Sequence, residues 1–179
     1  MTHITLAVTG SISAYKAADI TSQLTKLGFE VKVLMTPSAQ KFITPLTLQV
    51  LSKNQVGLDV MMEDDPQRIE HIDIGKETDL FLVAPASANT IAKLAMGLAD
   101  NMVTSTALAL PQRTKKLLAP AMNTKMLDHP ATQRNLKLLQ DYGYQIIQPR
   151  EATLACGDQG SGALATVDTI IQAVKENCL

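Results

Sequence analysis

Short apolar runs alternate with longer amphipathic segments along most of the chain. The apolar runs are rich in β-branched residues and predict strands at residues 4–9, 31–35, 79–84, 116–119 and 144–147. The amphipathic segments predict helices at residues 13–27, 45–52, 90–96, 102–110, 130–142 and 167–177. Glycines directly after the first and fifth of these helices mark their ends.

This alternation predicts a single α/β domain over residues 1–179. Parallel strands joined by helical crossovers form a sheet with helices on both faces, so we expect a three-layer, Rossmann-like (flavodoxin-like) fold. The segment 149–166 shows neither a helix nor a strand period. Loops of this length in compact domains are usually functional or mobile, which makes the segment a candidate part of the site.

Composition and charge exclude several classes of partner. Aromatic residues make up 3% of the chain, tryptophan is absent and the net charge is −1, so we expect no nucleic-acid binding. No apolar run approaches the roughly 18 residues that span a bilayer, and the first residues lack the pattern of a signal peptide. Cys156 and Cys178 match no zinc motif and no disulfide framework. We therefore expect a cytoplasmic protein without a membrane segment or a bound metal.

Small and polar residues follow the first two predicted strands. Gly10 permits a tight turn, and Ser11 and Ser13 bring hydroxyls beside the start of the next helix, which is typical of a phosphate cradle. An ordinary serine-capped turn is an equally good interpretation. The glycine patterns of dinucleotide-binding and P-loop proteins are absent, so a ligand with one phosphate fits better, with Thr36 and Ser38 supplying further hydroxyls.

Polar side chains also follow the third and fourth predicted strands. Ser87, Asn89 and Thr90 come after one of them, and Asn123 follows the other. An asparagine amide can donate to a carboxylate and accept from an amide. Because the carboxyl ends of parallel strands meet at one edge of a sheet, we expect all four side chains to lie at the same edge.

Five motifs carry a resemblance that covers nearly the whole chain. Residues 10–16 (GSISAYK), 71–74 (HIDI), 85–90 (PASANT), 120–126 (PAMNTKM) and 154–160 (LACGDQG) resemble the signatures of the flavin-containing cysteine decarboxylases. The resemblance implies FMN as cofactor and decarboxylation of 4'-phosphopantothenoylcysteine to 4'-phosphopantetheine in coenzyme A biosynthesis. In the family, oxidation of the cysteine thiol to a thioaldehyde lets CO2 leave, and the resulting enethiolate is then reduced. It also implies a homotrimer, or a multiple of trimers, with FMN at subunit interfaces.

The resemblance also implies roles for individual residues. It makes three residues catalytic. His71 acts as base or orients the substrate, Asn123 holds the substrate carboxylate, and Cys156 donates a proton. Residues implied to bind substrate are Asn123, Met122, Lys76 and Ala155. Residues implied to bind the cofactor are Gly10, Ser11, Ile12, Ser13, Thr36, Ser38, Ser87, Ala88, Asn89, Thr90 and Ala121.

Other interpretations remain open at this level. His71 alone is typical of a surface histidine, Lys76 of a solvated helix charge, and Cys156 of a small buried apolar residue. Leu127 departs from the family pattern, which commonly has an aromatic residue there. Two other functions are a non-enzymatic FMN-binding regulator and a decarboxylase of peptide C-terminal cysteines. The chain lacks the acidic tail of such regulators, and the loop around Cys156 argues against a peptide substrate.

Overall fold

A five-stranded parallel sheet forms the centre of the protein. The structure is a computed structural model and describes residues 1–63, 65–153, 157 and 159–178. The sheet contains β1 (His3–Val8), β2 (Glu30–Met35), β3 (Leu80–Ala86), β4 (Lys115–Pro120) and β5 (Tyr144–Ile146), in the order β2-β1-β3-β4-β5. All four pairings are parallel. This is the flavodoxin-like order, whose ligands bind beyond the carboxyl ends of the strands, and it confirms the predicted fold class.

Helices cover both faces of the sheet. They are α1 (Ala17–Lys26), α2 (Pro45–Ser52), α3 (Glu70–Glu77), α4 (Ala88–Met96), α5 (Met102–Leu108), α6 (Thr124–Asp128), α7 (Pro130–Asp141) and α8 (Val167–Cys178). Alternate residues of β3 enter opposite halves of the core: Leu80 and Leu82 pack with α1, α2 and α8, whereas Phe81 and Val83 pack with α3, α4, α5 and α7. A strand buried on both faces explains the unbroken apolar run in the sequence.

The helix predicted over residues 13–27 begins differently from the prediction. Residues Ile12–Lys16 form a 3-10 helix, and the α-helix starts only at Ala17. The Ser11 side chain accepts a hydrogen bond from the Ser13 amide, and the Ser11 carbonyl accepts one from the Ala14 amide, which tightens this first turn. The short helices α3 and α6 were not among the predicted elements, because their few apolar residues (Ile72 and Ile74 in α3, Met126 and Leu127 in α6) do not have helical spacing.

The segment 149–166 contains a β-hairpin, so the expectation of an irregular loop was wrong for its described part. Strands β6 (Arg150–Thr153) and β7 (Gln159–Ala163) pair antiparallel as a separate two-stranded sheet. The β6 strand carries no apolar run, and β7 contains two glycines, which are depleted in strands. The pairing of β6 with β7 therefore depends on contacts of the hairpin with the rest of the protein.

Two properties of the described residues bear on membranes and metals. None of their helices is both long and apolar enough to cross a bilayer. Over the same residues, no group of three or more histidine, cysteine, aspartate or glutamate side chains is placed to hold a metal ion.

Candidate functional site

Two adjoining clefts lie at the carboxyl edge of the sheet. The first, called here the hairpin cleft, has a volume of about 470 Å³ and lies between the turn after β1, the loop after β4 and the β6–β7 hairpin. The second, the hydroxyl cleft, has a volume of about 310 Å³ and lies between the loops after β2 and β3 and the segment before α5. Gly10, Ser87, Ala88 and Met126 line both clefts. Together they have the size of a typical small-molecule site.

The structure brings all the predicted cofactor residues to these two clefts. Besides the shared Gly10, Ser87 and Ala88, the hairpin cleft is lined by Ser11, Ile12, Ser13 and Ala121. The hydroxyl cleft is lined by Thr36, Ser38, Asn89 and Thr90. The predicted substrate residues Met122 and Asn123 lie in the hairpin cleft.

The loops after β1 and β2 touch at Gly10. A Cβ atom added there would lie 2.5 Å from the Ser38 Cβ, so only glycine allows this approach. Thr36 is buried, and its hydroxyl accepts a hydrogen bond from the Ala39 amide at 3.3 Å. Ser11 caps the 3-10 helix, as the capped-turn interpretation predicted. The turn therefore has a local structural role and also lines the cleft.

Thr9 joins the loops after β1 and β3, a role that no sequence pattern indicated. Its fully buried hydroxyl donates to the Pro85 carbonyl at 2.6 Å and accepts from the Ser87 amide at 2.9 Å. Threonine has a high β propensity because its side chain is branched at Cβ, so a threonine inside an apolar run indicates only a strand. The hydroxyl holds the start of α4 against β1 and so fixes the wall shared by both clefts.

Thr9→Val should lower the free energy of unfolding by about 2–4 kcal/mol. Valine keeps the shape but leaves the Pro85 carbonyl and the Ser87 amide without their partner. An unpaired buried group costs about 1–3 kcal/mol, and the half-buried Ser87 amide should cost less than the buried Pro85 carbonyl. Urea unfolding measures the change. Thr9→Ser is the matched control because it keeps the hydroxyl, and equal losses for both variants would contradict this role of Thr9.

The start of α4 forms the wall between the two clefts. The Ser87 hydroxyl caps the helix by accepting from the Thr90 amide at 3.2 Å. The unpaired amides of a helix N-terminus favour anionic ligands. Lys93 in the hydroxyl cleft pairs with Asp100, so the charged lining residues of this cleft compensate each other.

Asn123 lies at the start of α6, in the loop after β4. Its side-chain oxygen accepts a hydrogen bond from the Lys125 amide at 2.8 Å. Leu127, which departs from the family pattern, is 6% exposed and packs into the core, whereas Met126 lines the clefts. The missing aromatic residue therefore affects core packing behind the loop and not the described wall of the cleft.

The β6–β7 hairpin packs closely against the Asn123 loop. The Met122 amide donates to the Gly162 carbonyl at 2.9 Å, and the Thr124 hydroxyl donates to the Ser161 carbonyl at 2.6 Å. A Cβ added at Gly162, whose φ is +132°, would lie 2.3 Å from the Met122 carbonyl oxygen. At Gly160, it would lie 2.5 Å from the Thr124 hydroxyl. Both glycines are needed for this contact, which closes one side of the hairpin cleft.

Lys16 and Arg150 bring positive charge to the hairpin cleft, although neither was predicted as a site residue. Burial lowers the pKa of the Lys16 amine, and the charge of Arg150 lowers it further. Lys16 belongs to the motif at residues 10–16, so a basic residue beside the cradle was a usable signal. Arg150 belongs to no motif and reaches the cleft only through the hairpin.

The structure does not bring His71 and Lys76 to these clefts. His71 and Lys76 both lie on α3 and line neither of them. His71 is half-buried, with no hydrogen-bond partner for its Nδ1 atom among the described residues. Lys76 is exposed and lies 3.3 Å from an Asp73 carboxylate oxygen. Ala155 and Cys156 lie outside the described residues, so their roles stay predictions.

The chain is similar to curated decarboxylases of coenzyme A biosynthesis. It is 65% identical over 173 residues to a "Probable phosphopantothenoylcysteine decarboxylase" of Streptococcus mutans, covering 97% of each chain. It is 45% identical over 175 residues to a "Coenzyme A biosynthesis bifunctional protein" of Bacillus subtilis. That match covers 98% of this chain but only 43% of the longer relative.

Solved structures agree with the curated relatives. A mutant PPC decarboxylase complexed with pantothenoylaminoethenethiol has a TM-score of 0.90 and 32% identity, and the match covers 98% of this chain and 97% of that one. The FMN-dependent cysteine decarboxylase SpaF has a TM-score of 0.85 and 27% identity, with coverage of 100% and 98%. The Flavoprotein family model matches residues 1–179. These findings confirm the resemblance indicated by the motifs, and the chain belongs to the Flavoprotein family.

Proposed function

We propose that the chain catalyses the FMN-dependent decarboxylation of 4'-phosphopantothenoylcysteine to 4'-phosphopantetheine in coenzyme A biosynthesis. The observation that carries the proposal is the hairpin cleft, where the turn after β1 and the Asn123 loop form one cavity at the carboxyl edge of the sheet. The similarity to the Streptococcus mutans enzyme along the whole chain supports this substrate. The cytoplasm is the compartment we expect for the reaction.

The residues of the two clefts fit a flavin mononucleotide. The close contact between Gly10 and Ser38 brings hydroxyls from two loops together, as a single phosphate group requires. The shared wall at Ser87 and Ala88 joins this cradle to the hairpin cleft, where a planar ring can lie near the backbone. With only 3% aromatic residues in the chain, small and aliphatic side chains would contact the ring.

Decarboxylation of a cysteine needs an electron sink, because loss of CO2 otherwise leaves an unstabilised carbanion. A bound flavin supplies a reversible two-electron sink, so the net reaction consumes no external oxidant. In our proposal, Asn123 donates its amide hydrogens to the substrate carboxylate and Met122 packs beside it. The enethiolate that remains after CO2 has left must take back the two electrons to become the thiol, and Cys156 donates the proton for this reduction. Ala155 contacts the substrate next to Cys156.

Turnover of 4'-phosphopantothenoylcysteine by the flavin-loaded protein tests this proposal. We expect CO2 release without added oxidant, and a flavin-loaded preparation that releases none would overturn the proposal. In that case, activity on a peptide ending in cysteine would favour the peptidyl-cysteine decarboxylase. No decarboxylation of either substrate would favour the FMN-binding regulator. Cys156→Ser should still release CO2 but accumulate an enethiol or an oxidised product. If it makes 4'-phosphopantetheine at the wild-type rate, Cys156 is not the proton donor.

A homotrimer, or a multiple of trimers, is the assembly we propose. Within one subunit, His71 lies outside both clefts, so an active site that uses it needs α3 of a neighbouring subunit. Lys76 lies on the same helix and would reach a substrate by the same route. Sedimentation equilibrium of the flavin-loaded protein should give a mass of three subunits or a multiple of three. The mass of a single subunit would contradict both the assembly and the catalytic role of His71.

A further inference from the structure

The hairpin cleft carries positive charge that no described carboxylate neutralises. Lys16 and Arg150 are the only charged side chains among its described lining residues. The five ion pairs of the described part of the chain all involve other residues. Lys16 is half-buried and Arg150 is exposed, so water solvates both charges, but a cleft lined by one sign of charge attracts ions of the opposite sign.

The two cations come from different segments, and both line the hairpin cleft, near enough for the charge of Arg150 to lower the pKa of Lys16. Lys16 ends the 3-10 helix after β1, with its ammonium 6.0 Å from the centre of the Tyr15 ring. Arg150 begins β6, and its Nε donates to the Leu164 carbonyl at 3.2 Å. This bond orients the guanidinium, whose two terminal nitrogens make no hydrogen bond within the described residues. The mutual repulsion of the two cations falls when an anion lies between them.

A phosphate monoester suits such a pair better than a carboxylate. Its two negative charges match one ammonium and one guanidinium, and its oxygens accept the paired hydrogen bonds of an arginine. The hydroxyl cleft, which contains Thr36 and Ser38, is lined by neither cation. The two adjoining clefts therefore differ in chemistry: one is neutral and hydroxyl-rich, and the other has two cations and no carboxylate among its described lining residues.

We infer that Lys16 and Arg150 form an anion subsite that binds the phosphate monoester of the substrate, while Asn123 holds its carboxylate in the same cleft. This inference rests on the proposed function, because it takes the substrate to carry a carboxylate and a phosphate at its two ends. It gives the β6–β7 hairpin a role in specificity, since Arg150 and the glycines that dock the hairpin belong to the same element. It also assigns the substrate phosphate to residues other than Lys76.

Steady-state decarboxylation of two substrates tests the subsite. For 4'-phosphopantothenoylcysteine and its dephosphorylated form, pantothenoylcysteine, kcat/KM is measured with the flavin-loaded wild type and with Lys16→Gln and Arg150→Gln. We expect the ratio of the phosphorylated to the dephosphorylated value to fall about tenfold or more in each variant. For the wild type alone, KM for the phosphorylated substrate should rise with ionic strength. Lys26→Gln, at the exposed end of α1, is the control and should leave the ratio unchanged.

Three results would overturn the inference. Equal losses on both substrates would mean that the two cations do not contact the phosphate. A fall in affinity for FMN but not for riboflavin, measured by flavin fluorescence, would assign the cations to the cofactor phosphate. A selective loss in Lys76→Gln alone would assign the substrate phosphate to α3. If the wild type turns over neither substrate, the proposed function fails, but calorimetry that compares the binding of 4'-phosphopantetheine and pantetheine still tests the subsite. Tighter binding of the phosphorylated compound that is lost in Arg150→Gln supports the subsite. Equal binding of the two compounds by the wild type overturns it.

Discussion

Asn123→Asp should lower kcat/KM for 4'-phosphopantothenoylcysteine about a hundredfold or more while the protein stays folded and flavin-loaded. The new carboxylate replaces the amide donors and places a negative charge against the substrate carboxylate, and such like-charge contacts cost several kcal/mol. The fold should tolerate the change because aspartate caps a helix as well as asparagine does. Its oxygen can still accept from the Lys125 amide that Asn123 now binds.

Asn123→Ser separates the two parts of this effect. Serine is also a good helix cap, but it removes the amide donors without adding a charge. We expect a loss of about tenfold, the value of one hydrogen bond to a charged group. Thermal unfolding and flavin absorbance should match the wild type in both variants. Wild-type kinetics in Asn123→Asp would remove Asn123 from the substrate site.

Gly162→Ala should separate the hairpin from the Asn123 loop and reduce decarboxylation about a hundredfold. The added Cβ would lie 2.3 Å from the Met122 carbonyl oxygen, and the backbone φ of +132° is strained for any L side chain. We expect the shift that relieves this contact to break the Met122–Gly162 hydrogen bond. A displacement of about 1 Å in a residue that positions the substrate is enough for a loss of this size.

Hydrogen exchange checks the physical cause of that loss. The Met122 amide, which donates to Gly162, should exchange faster in Gly162→Ala, whereas amides in the centre of β3 should keep their protection. Gly28→Ala is the matched control, since Gly28 also has a positive φ but has no atom within 4 Å of an added Cβ. If Gly28→Ala loses as much activity as Gly162→Ala, general backbone strain rather than hairpin docking is responsible.

The sequence located most of the candidate site because parallel sheets have a simple rule for ligands. Once the apolar runs were identified as strands, the residues after each strand had to gather at one edge. The turn at Gly10, the Ser87 cap and Asn123 all follow strands, and the structure places them around adjoining clefts. Their positions were predictable because they depend on local chain order and strand direction alone.

The hairpin was not predictable in the same way. The segment from Arg150 to Gly162 has no apolar period, and within the described residues β6 and β7 pair with no other strand. The hairpin is held against the Asn123 loop by bonds from Met122 and Thr124, some 40 residues earlier in the chain. Contacts of this range leave no periodic trace in a single sequence.

By itself, the sequence determined the α/β fold, the edge of the sheet where the candidate site lies and the family to which the chain belongs. These follow from apolar runs, from the order of elements and from motifs that are local in the chain. Only the tertiary structure decided that Thr9 links two loops, that the hairpin closes the cleft, and that Lys16 and Arg150 share it, while His71 lies outside. The physical reason is distance: these features depend on side chains that approach one another only after the sheet has formed and its loops have packed.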